Sequence, residues 1–98
     1  MSYQVLCTFD LKNATSQDYA NAYADLEAIG LAKVHTGENG GKAVIPTTTT
    51  LGDFNGTGAA QVALDIRQRV KAAFAARGYE SEIFVACGEN GSWASGST

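Results

Sequence analysis

The chain has 98 residues, of which 45% are hydrophobic and 17% are charged. A chain of this length buries roughly two-thirds of its unfolded surface, which supports one core and excludes a second independent domain. Seven basic and ten acidic residues give a net charge of −3, which argues against broad electrostatic binding to DNA or RNA. About 25% charged residues is usual, so the low charge indicates a surface partly covered by a partner.

The compartment is predicted from two patterns. Apolar runs such as residues 83–87 are far shorter than the roughly 20 residues that span a bilayer. Residues 1–4 contain no basic region and precede no long apolar stretch, so no secretory signal is expected. We therefore expect a cytoplasmic protein that does not enter a membrane.

The first half of the chain predicts a strand, a helix and a hairpin. Residues 3–10 alternate apolar and polar side chains and predict a strand that ends at Asp10. Apolar residues at helical spacing then predict a helix capped by Thr15 or Ser16 and stopped by Gly30. Residues 31–36 and 42–51 predict a hairpin, in which Pro46 starts, bulges or bends the second strand.

The second half predicts a loop, a helix and a strand. Glycines and polar residues indicate a loop at 52–56, and the apolar spacing that follows predicts a second helix ending at Gly78. Residues 79–87 predict the last strand, and residues 88–98 form a Gly/Ser-rich tail outside the domain of residues 1–87. Trp93 is expected either to anchor this tail on a sheet edge or to be mobile.

This order of elements predicts an α+β fold of the ferredoxin-like type, βαββαβ. Its antiparallel sheet has four strands in the order 4-1-3-2, and both helices lie on one face. The other face, called the open face, is expected to carry Leu6, Thr8, Asp10, Val44 and Phe84. Such a face predicts homodimerisation through the sheet, with Trp93 also at the interface; the alternative is a sheet with scattered exposed apolar groups.

Asp10 is the main candidate for chemistry because it ends a central strand on the open face. In a dimer stacked through that face, two copies of Asp10 would share Mg²⁺, which is bound by one or two carboxylates together with water and phosphate oxygens. The alternative is that Asp10 accepts hydrogen bonds from the backbone amides of the turn at residues 12–14.

The first strand and helix resemble the opening of the Cas2 and VapD group of small proteins. The features that carry this resemblance are the motif Phe9-Asp10-Leu11 and the tyrosines of the helix that follows. The resemblance implies a ferredoxin-like fold, dimerisation through the sheet and, for several members, a metal-dependent nuclease in which the aspartate at the strand end binds the metal. Asp10 is the matching residue. Cas2 proteins commonly have several basic residues after this aspartate, whereas only Lys12 follows here.

Candidate contacts to nucleic acid are few. They are Lys12 and three cations of the second predicted helix, Arg67, Arg69 and Lys71. Arg67 and Lys71 are four residues apart, but Arg69 lies about 200° around the helix from Arg67, so the three form no compact stripe. The alternative is a solvated helix face.

The cysteines and the histidine predict no further site. Cys7 and Cys87 match no metal-ligand spacing and are expected to be buried thiols rather than a disulfide in a reducing cytosol. His35 is the only histidine, and a zinc site is not expected.

Two functions follow. The first is a small dimeric Cas2/VapD-like endonuclease that cleaves RNA or DNA with Mg²⁺ at Asp10. The second is a binding or regulatory protein of phage or mobile-element type, without enzymatic activity, that blocks a host nucleoprotein complex through a protein contact. The low basic charge favours the second.

Overall fold

The computed structural model describes residues 1–36, 42–44, 47–89 and 94. Its elements are, in chain order, β1 (Ser2–Leu11), α1 (Ser16–Ile29), β2 (Val34–Thr36), β3 (Lys42–Val44), β4 (Thr49–Asn55), α2 (Ala59–Ala76) and β5 (Ser81–Glu89). The strands β4, β1 and β5 form an antiparallel sheet in that order, and β2 pairs with β3 separately. The predicted α+β class is confirmed.

The central strand β1 divides the sheet into two faces. Every second residue of β1 is buried, and these residues belong to one core cluster with apolar side chains of both helices. The buried set comprises Tyr3, Val5, Cys7, Phe9 and Leu11 from β1, Ala22 and Leu26 from α1, Leu31 just after α1, and Val62, Ile66, Val70 and Phe74 from α2. Both helices therefore cover the same face, as the alternating pattern predicts.

The prediction of a four-stranded sheet is wrong for the described residues, since the sheet has three strands. Next to β4 the predicted second strand forms only one bridge, between Ala32 and Leu51, with N–H···O distances of 3.0 and 2.9 Å. Residues 34–36 pair with 42–44 instead. A local hairpin closes a short loop at little entropic cost, and it uses the residues that would have continued the pairing with β4.

The predicted loop at residues 52–56 is also wrong, because β4 continues to Asn55. A Cβ atom at Gly52 would lie 2.1 Å from the carbonyl oxygen of Gly30. Glycine is therefore required because the backbone at the end of α1 approaches the strand closely, which is one established role of glycine within sheets. Phe54 follows in the strand, opposite Tyr3, and packs against the core.

The predicted helix ends are confirmed. Thr15 caps α1 in a capping box, in which its hydroxyl accepts from the Asp18 N–H and the Asp18 carboxylate accepts from the Thr15 N–H. Gly30 ends this helix with φ of 115°, and Gly78 follows α2 with φ of 76°. Among the described helices, none is long and apolar enough to cross a membrane. Pro46 and Trp93 lie outside the described residues.

Candidate functional site

The open face of the structure is the face of the three-stranded sheet opposite the helices. It carries Leu6, which is 37% exposed, and Phe84, which is 64% exposed. The half-buried Thr8 lies directly opposite Phe84, and the exposed Asp10 lies two residues farther along β1. These four residues occupy the face on which the sequence pattern places them.

Asp10 lies opposite a second carboxylate that sequence reasoning missed. Glu82 of β5 is its direct partner in the antiparallel register, and such partners have Cβ atoms about 4.5–5.5 Å apart. Both residues line a shallow depression of about 250 Å³ together with Thr8 and Phe84. The signal that could have found Glu82 is the alternation of β5, which puts even-numbered residues on the open face.

The carboxylate of Asp10 is not used by the turn that follows it. Within the described ranges no hydrogen bond or ion pair of Asp10 is found, in contrast to the predicted contacts with the amides of residues 12–14. The turn is held by other groups: the N–H of Lys12 donates to the Glu80 carbonyl at 2.9 Å, and the Tyr19 hydroxyl contacts both N–H and C=O of Leu11 at 3.2 Å. The Asp10 carboxylate is left available to bind a ligand.

Tyrosine hydroxyls of α1 hold the strand ends around Asp10. The Tyr19 hydroxyl holds Leu11, and the Tyr23 hydroxyl accepts from the N–H of Thr48 at 2.6 Å. Thr48 has a φ of 67°, which is unusual for a β-branched residue, and its carbonyl accepts from the N–H of Phe9 at 2.9 Å. Hydrogen bonds therefore hold the backbone on both sides of Asp10: Phe9 is bonded to Thr48, and Leu11 is bonded to Tyr19.

The predicted nucleic-acid contacts are divided between two sides of the molecule. Arg67, Arg69 and Lys71 are exposed on α2, which packs on the helix-covered face, so the sheet separates them from Asp10. Lys12 lies at the same end of the sheet as Asp10, where its Nζ is 3.6 Å from Oε1 of Glu82. The structure thus brings one of the four cations near the candidate site.

The remaining predicted residues lie elsewhere. Val44 belongs to β3, which pairs with β2 and is not a strand of the three-stranded sheet, in contrast to the predicted order. Cys7 and Cys87 are free thiols on adjacent strands. Cys7 is buried on the helix-covered face, and burial raises the pKa of its thiol to about 11, so thiolate chemistry at this residue is disfavoured near neutral pH.

The donor groups near Asp10 fit a hard cation. Mg²⁺ prefers oxygen ligands and keeps several waters, so one or two carboxylates suffice. The described part of one chain holds no group of three or more His, Cys, Asp or Glu side chains able to hold a metal. Among the described residues of one copy, Asp10 and Glu82 are the carboxylates that line this depression.

No protein-family model matches this chain, and no curated protein matches it.

Proposed function

We propose that this protein is a small dimeric nuclease of the Cas2/VapD kind, which cleaves RNA or DNA with Mg²⁺ bound at Asp10. The observation that carries the proposal is the exposed Asp10 carboxylate, which lacks a hydrogen-bond partner in the described part of the chain and lies on a sheet face that the helices leave uncovered. An aspartate needed only for the turn would be bonded to it.

The order of the described strands is compatible with a ferredoxin-like fold, and this supports the proposal. The order β4-β1-β5 corresponds to three of the four strands of that fold. The bridge between Ala32 and Leu51 lies at the outer side of β4, where the fourth strand would pair.

The homodimer of this proposal uses the open face. Leu6 and Phe84 supply exposed apolar surface, and burying it against a second copy is favourable by roughly 25 cal/mol per Å². Two chains stacked with their strands aligned by a two-fold axis would bring both Asp10 residues together. The apolar centre then holds the chains, and the acidic end holds the cation.

Each residue near the site has a separate role in this reaction. Asp10 of both copies binds Mg²⁺, and Glu82 adds negative charge beside it. Bound Mg²⁺ would stabilise charge on a phosphodiester and lower the pKa of a coordinated water. Lys12 offers a cation to the phosphate backbone at the same sheet end, while Arg67, Arg69 and Lys71 would contact only nucleic acid that extends around to α2.

The test is a cleavage assay on RNA and DNA substrates with Mg²⁺ and Mn²⁺. Asp10→Asn should abolish cleavage without changing the fold. Asp53→Asn is the matched control, because Asp53 is an exposed carboxylate on the open face at the other end of the sheet, and it should retain wild-type activity. Equal cleavage by the Asp10 and Asp53 variants, or no cleavage by the wild type with either metal, would refute the proposal.

A second candidate is a binding or regulatory protein without enzymatic activity. The specific observation in its favour is charge: the described strands of the open face carry Asp10, Asp53 and Glu82 and no lysine or arginine. Such a surface complements a basic protein, such as a component of a nucleoprotein complex. This candidate predicts no cleavage by the wild type, together with binding to a basic partner that is weakened by salt and by Asp53→Lys.

A further inference from the structure

We propose that the outer edge of β5 pairs with β5 of a second copy, which joins two three-stranded sheets into one sheet of six strands. This contact is distinct from the open face, and it does not depend on nuclease activity.

The first observation is an edge strand without protection. β5 has nine residues and, within the described ranges, pairs only with β1. Natural edge strands are usually blocked by lysine, proline, a bulge or short length. The segment Ser81–Glu89 contains no lysine or proline, its pairing with β1 runs without a bulge, and its only charges are glutamates near its ends.

The second observation is incomplete burial on the core side of the same strand. Val5, Cys7 and Phe9 of the central strand are at most 2% exposed. The equivalent residues of β5, which are Ile83, Val85 and Cys87, pack against the same core but are only half-buried. The apolar layer between sheet and helices is thus open on the β5 side, where a neighbouring strand would extend it.

The hydrogen-bonding pattern determines which groups are available. Lys12 N–H bonds the carbonyl of Glu80, and on the other side of β1 the N–H of Phe9 bonds Thr48. Because bonding alternates along an antiparallel strand, the even-numbered residues of β5 bond β1. The N–H and C=O groups of Ile83, Val85 and Cys87 consequently point to the free edge.

One register allows these outward N–H and C=O groups to form hydrogen bonds with the same groups of β5 in a second copy. With Val85 opposite Val85 of the second copy, every outward N–H and C=O of the strand finds a partner, since Val85 is the midpoint of Ser81–Glu89. The other facing pairs are Ile83 with Cys87, Phe84 with Ala86, Glu82 with Gly88, and Ser81 with Glu89. No two carboxylates face each other, and each aromatic or branched side chain meets an apolar one.

The symmetry of this pairing separates it from the open-face dimer. A two-fold axis through Val85 and perpendicular to the sheet keeps the helices of both copies on the same side. The axis of the open-face dimer lies parallel to the sheet. The two contacts use different surfaces of the chain, the outer edge of β5 and the open face, so each can be disrupted without the other.

The first test is amide hydrogen exchange of the wild type, followed residue by residue by NMR. In an isolated chain, the amides of Ile83, Val85 and Cys87 face water and exchange rapidly, while those of Phe84 and Ala86 are protected by β1. Pairing predicts that all five are protected, and that dilution to the monomer releases only the odd-numbered three. Rapid exchange of those three amides in the undiluted sample overturns the proposal.

The second test is solution mass by light scattering. Val85→Pro removes an outward N–H and leaves the β1 bonds in place, and it should halve the mass of the wild-type assembly. Val85→Thr, which keeps both the N–H and the branched shape, should not. An unchanged mass for Val85→Pro overturns the proposal. If this variant does not fold, the exchange experiment decides.

Two further variants distinguish the other contacts. Leu6→Glu places a charge at the centre of the open face and should disrupt only the open-face dimer, so its mass reports on the proposed function separately. A chain ending at Glu89 removes residues 90–98 and should keep the β5 pairing. If both this truncation and Val85→Pro lower the mass, the edge binds the partner's tail, and the proposed pairing of β5 with β5 is wrong.

Discussion

The two faces of the sheet are made by the same strand but obey different constraints. On β1 the helix-covered face presents Val5, Cys7 and Phe9, which are almost fully buried, whereas the open face presents Leu6, Thr8 and Asp10, which retain contact with solvent. Packing in the core determines the buried residues. On the open face, no group of the described chain forms a hydrogen bond or an ion pair with the Asp10 carboxylate. Residues that stabilise the core and residues of the candidate site therefore alternate along the same strand.

The largest expected difference between the faces concerns two phenylalanines. Phe9 lies 5.3 Å from Phe74 and 5.5 Å from Tyr23, measured between ring centroids, so Phe9→Ala should lower the free energy of unfolding by about 3–5 kcal/mol. Phe84→Ala on the open face should change it by about 0.5 kcal/mol or less in the monomer. Urea unfolding measures both, and equal losses would contradict the separation of the faces.

The second prediction concerns how the free energy of unfolding depends on pH through a buried thiol of the helix-covered face. Burial raises the pKa of Cys7 from its usual 9.0 to about 11. The stabilising contribution of the neutral thiol is therefore complete below pH 9 and is lost as the pH rises to about 11, by about 2–3 kcal/mol.

Urea unfolding between pH 8 and 11 of the wild type and of Cys7→Ala measures this contribution. Other groups titrate in the same range in both proteins, so the difference between the two curves isolates Cys7. Parallel curves would show that the thiol does not titrate with a raised pKa.

The third prediction compares one glycine from each face. In Gly52→Ala the new Cβ would meet the Gly30 carbonyl, and the backbone must shift, which should cost about 1–3 kcal/mol. Gly88 lies on the open face, and a Cβ atom added there would have nothing within 4 Å, so Gly88→Ala should be neutral or slightly stabilising. Thermal unfolding of both variants provides the comparison, and a neutral Gly52→Ala would contradict the close approach of α1 to β4.

The smallest effect has the opposite sign. Asp10 and Glu82 are like charges directly opposite each other, an arrangement that destabilises a sheet by about 0.2–1 kcal/mol. Asp10→Asn should therefore raise the free energy of unfolding slightly while it abolishes the proposed cleavage. High salt should reduce the gain in stability, and a loss of stability in this variant would show that Asp10 has a structural role.

Much of the fold could be predicted from local sequence. The alternation along β1, the capping box at Thr15 and the left-handed Gly30 were all readable, because each depends on residues that are neighbours in the chain. Asp10 at a strand end on the open face was predicted for the same reason. Glu82 was not predicted as part of the site. Which residue of β5 lies opposite Asp10 depends on the register between the two strands, and the spacing of residues along the chain does not give that register.

The sequence by itself determined which side chains share a face, since backbone geometry alternates side chains along a strand and repeats them every 3.6 residues in a helix. Only the tertiary structure decided three matters. Gly52 belongs to a strand because α1 ends against it, the hairpin of β2 and β3 leaves the sheet with three described strands, and the antiparallel register places Glu82 beside Asp10. Each of these depends on contacts between segments distant in the chain, which local propensity does not encode.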